Sequence, residues 1–189
     1  SLNRQGFSRK LVIEDRIRSV QRSYGYSELQ TPTFEFFDIF NKERGSVASR
    51  EMYKFFDREG NTLVLRPDMT PPVARCAAKY YMDEPFPIRL SYLAGTYINH
   101  SSYQGRLKES TVQGAELIGD ASCDADAEII ALTIGCLLKA GLRDFQVDIG
   151  QVDFFKGLVE EAGLDEETEE QLKALIEDKN FFGVEQLVR

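Results

Sequence analysis

With 189 residues, 42% of them hydrophobic, and no apolar run near the length of a bilayer span, the chain has the makings of a soluble globular protein. That length allows one well-buried core with a small appended element and excludes several independent domains. A formal net charge of -8, from 31 acidic and 23 basic residues, argues against a broad nucleic-acid footprint, because phosphate contacts need clustered Lys and Arg; a local basic face can still survive in an acidic chain.

Cys76, Cys123 and Cys136 are odd in number and far apart, with neither a C-x-x-C pair nor a nearby histidine, so they form no zinc site and predict a reduced, cytoplasmic protein. Each lies among alanines and aliphatics in a predicted helix, where burial as a small hydrophobe is expected and a nucleophilic role is not. Ser1 to Arg9 carries only Leu2 and Phe7 as large apolar residues, which is no signal-peptide core.

From Phe7 to Tyr24, Ile13, Ile17, Val20 and Tyr24 recur at three- and four-residue intervals, with Glu14 and Arg18 paired on a polar side; the spacing predicts an amphipathic helix ending at Gly25. Tyr26 to Pro32 reads as a short strand closed by proline, and the aromatic-rich Phe34 to Phe40 as a short buried turn of helix. Met52 to Phe56 and Thr62 to Leu65 flank the turn formers Asp57 to Asn61, predicting a β-hairpin. Thr70-Pro71-Pro72 opens a helix to about Met82, with the threonine hydroxyl available as cap and Pro71 where a missing N–H costs nothing.

Ile88 to Ile98 and Ser110 to Ile118 predict a long antiparallel hairpin around the polar loop Asn99 to Glu109. Ala127, Ile130, Ile134 and Leu138 mark a core-facing helix stopping near Gly141, and Phe145 to Ile149 alternates as a strand. After about Gln151 the composition shifts to charged helices, with breaks expected at Gly163 and Gly183 and acidic faces explained by solvation. The pattern as a whole is α+β, a mostly antiparallel sheet flanked by helices, with a helical extension at the carboxyl end.

Three segments, in this order, resemble one family. Gly25 to Pro32, preceded by a helix, is similar to the first signature of class II aminoacyl-tRNA synthetases, whose proline lies at a dimer interface. Leu65-Arg66-Pro67-Asp68-Met69-Thr70 resembles the amino-acid loop of the histidyl-tRNA synthetase branch. Arg89 to Tyr97, the polar loop and Gln113-Gly114-Ala115-Glu116-Leu117-Ile118-Gly119 resemble the strand-loop-strand second signature. The likeness runs from about Phe7 onward and implies a class II synthetase-like core over residues 1–151, partial in lacking the third signature, with residues 152–189 as the helical extension.

The resemblance also assigns chemistry. Asp68 matches the carboxylate that holds the ligand's α-ammonium, Thr70 the hydroxyl beside it and Glu116 the carboxylate that reads the imidazole, so the three form a candidate histidine-binding set. Each also has a structural reading: Thr70 as a helix cap, Asp68 as a brace for the turn ahead of that helix, Glu116 as the ion-pair partner of an arginine such as Arg89. Arg66 reads as a structural pairing residue either way. Val112 stands where active synthetases carry a glutamine, which removes one ligand contact.

The ATP loop departs further. The family's phosphate-neutralising arginine is matched by Ile98, which can neither donate to phosphate nor stabilise developing charge, and the acidic residue that follows is matched by His100, the only histidine, to which no role is assigned. Arg106 matches the loop's other phosphate-facing arginine, either as a weak anion site or as a solvated turn residue.

The resemblance therefore implies a synthetase paralogue that does not activate an amino acid: one that binds the short-form ATP phosphoribosyltransferase catalytic subunit, relays histidine feedback, forms a homodimer within a hetero-oligomer, and needs no cofactor, metal or membrane. Two other readings stand beside it: a fragment of a genuine histidyl-tRNA synthetase, which would not explain Ile98, and a synthetase-like binding module for tRNA or another protein.

Overall fold

The computed structural model describes residues 2–40, 47–100, 107–150, 152–177 and 180–187. Two compact units divide the chain, Ser1–Arg143 and Asp144–Arg189.

The first unit opens with α1 (Arg4–Ser23), started by Asn3, whose side chain accepts from the Gly6 amide at 2.8 Å, and ended ahead of Gly25, which takes the left-handed conformation that glycine adopts most readily. The expected apolar stripe is only partly used. Ile17 and Val20 are half-buried while Ile13 and Tyr24 stay exposed, and the one fully buried helix residue is Gln21. Polar side chains anchor the helix to the sheet: Gln21 Nε2 donates to the Gly114 carbonyl at 2.9 Å, and Gln113 Nε2 donates to the Glu14 carbonyl at 3.1 Å. The Glu14–Arg18 pair does not form either, because Arg18 is drawn to Asp15 at 2.7 Å and to Glu28 at 2.9 Å, and Glu14 pairs back to Lys10 at 3.5 Å.

Of the strand expected over Tyr26 to Pro32, only β1 (Ser27–Glu28) is regular. Phe34 to Phe40 differs more: Phe34–Phe36 is a strand, β2, and only Phe37–Ile39 makes a 3₁₀ turn. The alternation explains it, since Phe34 and Phe36 point outward at 51% and 54% exposure while Glu35 points inward and is held by Arg75 at 2.6 Å. The hairpin is as expected, β3 (Lys54–Phe56) and β4 (Thr62–Leu65), closed by Asp57, whose carboxylate accepts from the Asn61 backbone and side-chain amides at 2.8 Å each. These strands form an antiparallel sheet in the order β2-β4-β3, over a core of Phe40, Met52 and Val64.

Helix α2 runs Thr70–Tyr80. The long hairpin is β5 (Ile88–Tyr97) against β6 (Glu109–Ile118), ten residues each, with β1 parallel to β5 on its other edge. Period-two alternation sorts this sheet: Ile88, Leu90 and Tyr92 face Met69, Val73 and Ala77 around α2 in the main core, with Val112 and Ile118 packed beside them. The opposite face meets α1 and α3 (Cys123–Ala140), which Ser122 caps and Gly141 ends in the left-handed region. Val20 on α1 packs where Gly135 leaves room on α3.

On that face Arg89 makes a two-toothed contact with Glu128 of α3, at 2.7 and 2.6 Å, and Tyr26 donates to the same carboxylate at 2.9 Å. Arg89 holds the Glu128 carboxyl below the usual range, against the opposing effect of burial. The pair is partly exposed, so its net contribution is about 1 kcal/mol. Because the folded-state pKa is depressed, this stability is present above the unfolded carboxylate value near 4.3 and is lost as pH falls through the folded value. Urea titrations of Glu128→Gln should therefore fall below wild type at pH 7 and converge with it in strong acid; parallel curves at all pH values would remove the linkage.

Phe145 to Ile149, expected as a strand, pairs with no strand among the described residues; alternation alone cannot make a ladder without a neighbour. The second unit contains α4 (Val152–Ala162), α5 (Glu166–Glu177) and α6 (Phe181–Leu187), with Val159 and Leu172 buried. Gly163 breaks the chain in the left-handed region as expected. Gly183 lies inside α6, whose start is instead set by Asn180, its side chain accepting from the Gly183 amide at 3.0 Å. The three cysteines are free thiols; Cys76 and Cys136 are half-buried, but Cys123 is exposed, since it opens the first turn of α3. No helix among the described residues is long and apolar enough to cross a membrane.

Candidate functional site

The loop after β4 is organised by Arg66, which is 6% exposed. Its guanidinium donates to three main-chain carbonyls: Gly95 at 2.8 Å, and Thr31 and Pro32 at 2.9 Å each. Its own carbonyl accepts from the Tyr97 amide at 3.0 Å. Burial pulls the guanidinium pKa down, with Tyr97 and Glu35 acting in the opposite sense. The expectation of a structural pairing residue takes a specific form: the partners are backbone oxygens from the end of the first signature-like segment and from β5.

Two residues on, Asp68 is half-buried and its Oδ1 accepts from the Met69 amide at 2.7 Å, so it does brace the entry to α2. Thr70 does not cap that helix. Met69 is the capping position and makes no side-chain cap, while the Thr70 hydroxyl donates to Glu116 Oε1 at 2.8 Å. Glu116 in turn does not pair with Arg89: alternation along the hairpin puts them on opposite faces of the sheet, and Arg89 is committed to Glu128.

Tyr92 joins this group from β5. Buried to 7% exposure, it donates to Glu116 Oε1 at 3.3 Å. Its hydroxyl is pushed far above the ordinary tyrosine range, by burial first and then by the charges of Glu116 and Asp68, so it is a fixed donor at any physiological pH. Room for the ring comes from Gly114, its direct partner across the hairpin, where a Cβ would overlap the phenol. Tyr92 escaped the sequence reading; its signal was the hairpin register, which sets it opposite Gly114 and one pleat from Glu116.

The arrangement is thus an acidic patch at the start of α2, with Asp68, Thr70 and Glu116 brought together and a buried phenol behind them. It suits a cationic ligand that carries hydrogen-bond donors. A cleft of about 650 Å³ lies elsewhere, along β2 and α2 between Phe34, Phe36 and Arg75, and contains none of the three. Ile98 is half-buried just past β5, its amide donating to the Lys108 carbonyl at 3.0 Å; His100 is also half-buried. Arg106 lies outside the described residues.

The family model for histidyl-tRNA synthetase matches residues 2–189. The chain belongs to the histidyl-tRNA synthetase family. Within it, the chain is 48% identical over 179 residues to the ATP phosphoribosyltransferase regulatory subunit of Acetivibrio thermocellus and 46% identical over 180 residues to that of Ruminiclostridium cellulolyticum. Each match covers 95% of this chain and 43% of the relative, so the chain spans less than half the length of these curated relatives.

Among solved structures, the ATP phosphoribosyltransferase regulatory subunit/histidyl-tRNA synthetase of Bacillus halodurans superposes with a TM-score of 0.89 at 34% identity, over 98% of this chain and 48% of that one. The apo histidyl-tRNA synthetase of S. aureus superposes at 0.62 and 27% identity, over 76% of this chain and 38% of that one. The class II synthetase-like α+β fold expected from the three signatures is the fold observed.

Proposed function

We propose that this chain is the synthetase-like part of a regulatory subunit of ATP phosphoribosyltransferase, a cytoplasmic protein that binds histidine and carries no catalytic groups of its own. The observation that carries this reading is its likeness to the regulatory subunits. Ile98 supports it: loss of one donor to the reacting phosphate typically costs about 3 kcal/mol or more at the transition state, enough to disable adenylate formation.

In this reading Asp68 takes the α-ammonium of histidine and Glu116 an imidazole N–H. The single Thr70 proton is given to Glu116, which leaves the hydroxyl oxygen free to accept from the ammonium. The subunit is a homodimer within a hetero-oligomer, and its partner is the short-form catalytic subunit. Histidine inhibits because it binds one state of that complex better than another; a coupling of about 1–3 kcal/mol changes affinity roughly 5- to 150-fold.

The test mixes the full-length protein with the short catalytic subunit and follows both sedimentation and phosphoribosyl transfer with and without histidine. A stable complex whose activity histidine suppresses is expected, together with no histidine-dependent pyrophosphate exchange by the full-length protein alone. Failure to associate, or brisk pyrophosphate exchange, would overturn the proposal.

A further inference from the structure

Among the described residues, the Glu116 carboxylate is held by one oxygen only. Thr70 at 2.8 Å and Tyr92 at 3.3 Å both donate to Oε1, from two different elements, α2 and β5. Among the described residues, no hydrogen bond or ion pair involves Oε2. Two donors converging on one oxygen fix the rotation of the carboxylate, so the second oxygen is presented as an acceptor in a set direction.

Tyr92 is suited to impose this. It is buried in the same core cluster as Met69, Val73 and Leu90, and Gly114 leaves the space that the phenol occupies beside β6. Thr70, by contrast, is exposed at the first turn of its helix and cannot by itself hold the carboxylate against solvent.

We propose that Tyr92 is a positioning residue for ligand selectivity: by pinning Oε1 of Glu116 it aims Oε2 at the ligand ring, so that the site accepts side chains offering a ring N–H and rejects isosteric rings that offer none. The idea rests on the histidine pocket proposed above. A pocket built to receive a donor discriminates strongly against the analogue lacking it, because its own acceptor is then left unpaired. Losing the Tyr92 hydroxyl frees the carboxylate to rotate, and discrimination falls while the shape of the pocket is kept.

The experiment measures calorimetric affinities of the full-length protein for histidine and for β-(2-thienyl)alanine, a ring of similar shape without an N–H, in wild type, Tyr92→Phe and Gly114→Ala. Phe keeps the buried ring and removes only the hydroxyl; Ala at 114 keeps the hydroxyl and displaces it. Both variants are expected to bind histidine about tenfold more weakly and thienylalanine within about twofold of wild type, so that selectivity narrows roughly tenfold. If wild type binds histidine and both variants keep its selectivity, or lose affinity for the two ligands in parallel with a fall in thermal stability, Tyr92 is only a core residue and the proposal is wrong. If wild type binds no histidine, the pocket itself is wrong and this inference goes with it.

Discussion

Replacing Arg66 by alanine should destabilise the protein by about 3 kcal/mol or more, the largest stability effect expected of a single polar substitution here. The guanidinium is buried and spans three carbonyls that belong to two separated stretches, Thr31-Pro32 and Gly95. Removing it strands the buried Thr31 oxygen and takes the donor from the part-buried Pro32 and Gly95 oxygens as well, and an unsatisfied buried group costs about 1–3 kcal/mol before relaxation. Lysine is not a remedy, because a compact ammonium lacks the planar fork that lets Nε and Nη1 face different carbonyls. Urea unfolding should show the midpoint drop with little change in slope, and Arg66→Lys should recover less than half of the loss. A loss under about 1 kcal/mol for Arg66→Ala would mean that the carbonyls find water and that the loop is not held as described. The same substitution should weaken ligand binding, since Arg66 sets the backbone from which Asp68 projects two residues later.

Substituting Glu116 should have the largest effect on histidine. A hydrogen bond to a charged group contributes about 1.5–3 kcal/mol, so removing the carboxylate is expected to lower affinity by roughly 10- to 150-fold. Alanine also leaves the buried Tyr92 hydroxyl without its acceptor, which adds a stability penalty and blurs the reading. Glu116→Gln separates the two effects: the amide oxygen can still accept from Thr70 and Tyr92, while its NH₂ now faces the ligand and opposes an imidazole N–H. Stability near wild type with histidine binding lost is the expected pattern for Gln. Calorimetry with Asp68→Ala alongside completes the test, and unchanged histidine affinity in both Glu116→Gln and Asp68→Ala would reject the pocket.

Much of the fold was legible because it follows from local rules. The turn at Asp57 to Asn61, the Pro-opened helix at Thr70, the glycine stops at 25, 141 and 163, and the two long strands of the second signature are all where composition and periodicity put them. The failures share one cause. Phe34 to Phe40 has the aromatic content of a buried turn, but Glu35 found an arginine from α2, and Phe34 and Phe36 on either side of it face outward while Phe40 stays in the core. Phe145 to Ile149 has the alternation of a strand and lacks a pairing partner among the described residues. In α1 the apolar spacing was real, yet Gln21 and Gln113 make the bonds that seat the helix, because the adjoining surface is the backbone of β6 and its neighbours.

By itself the sequence determined the family, and it supplied Asp68, Thr70 and Glu116, the side chains on which the proposed histidine pocket rests. Those are matters of residue identity, and chemistry such as donor count and charge belongs to the residue wherever it lies. Only the tertiary structure decided what each side chain does with that chemistry. Thr70 gives its proton to Glu116 instead of capping a helix, Arg89 is claimed by Glu128 on the far face of the sheet, and Tyr92 joins Glu116 from a strand read only as one arm of the long hairpin. A polar side chain has several partners it can satisfy, and the choice among them is made by strand register and by which face each residue occupies, quantities that exist only once distant segments have paired.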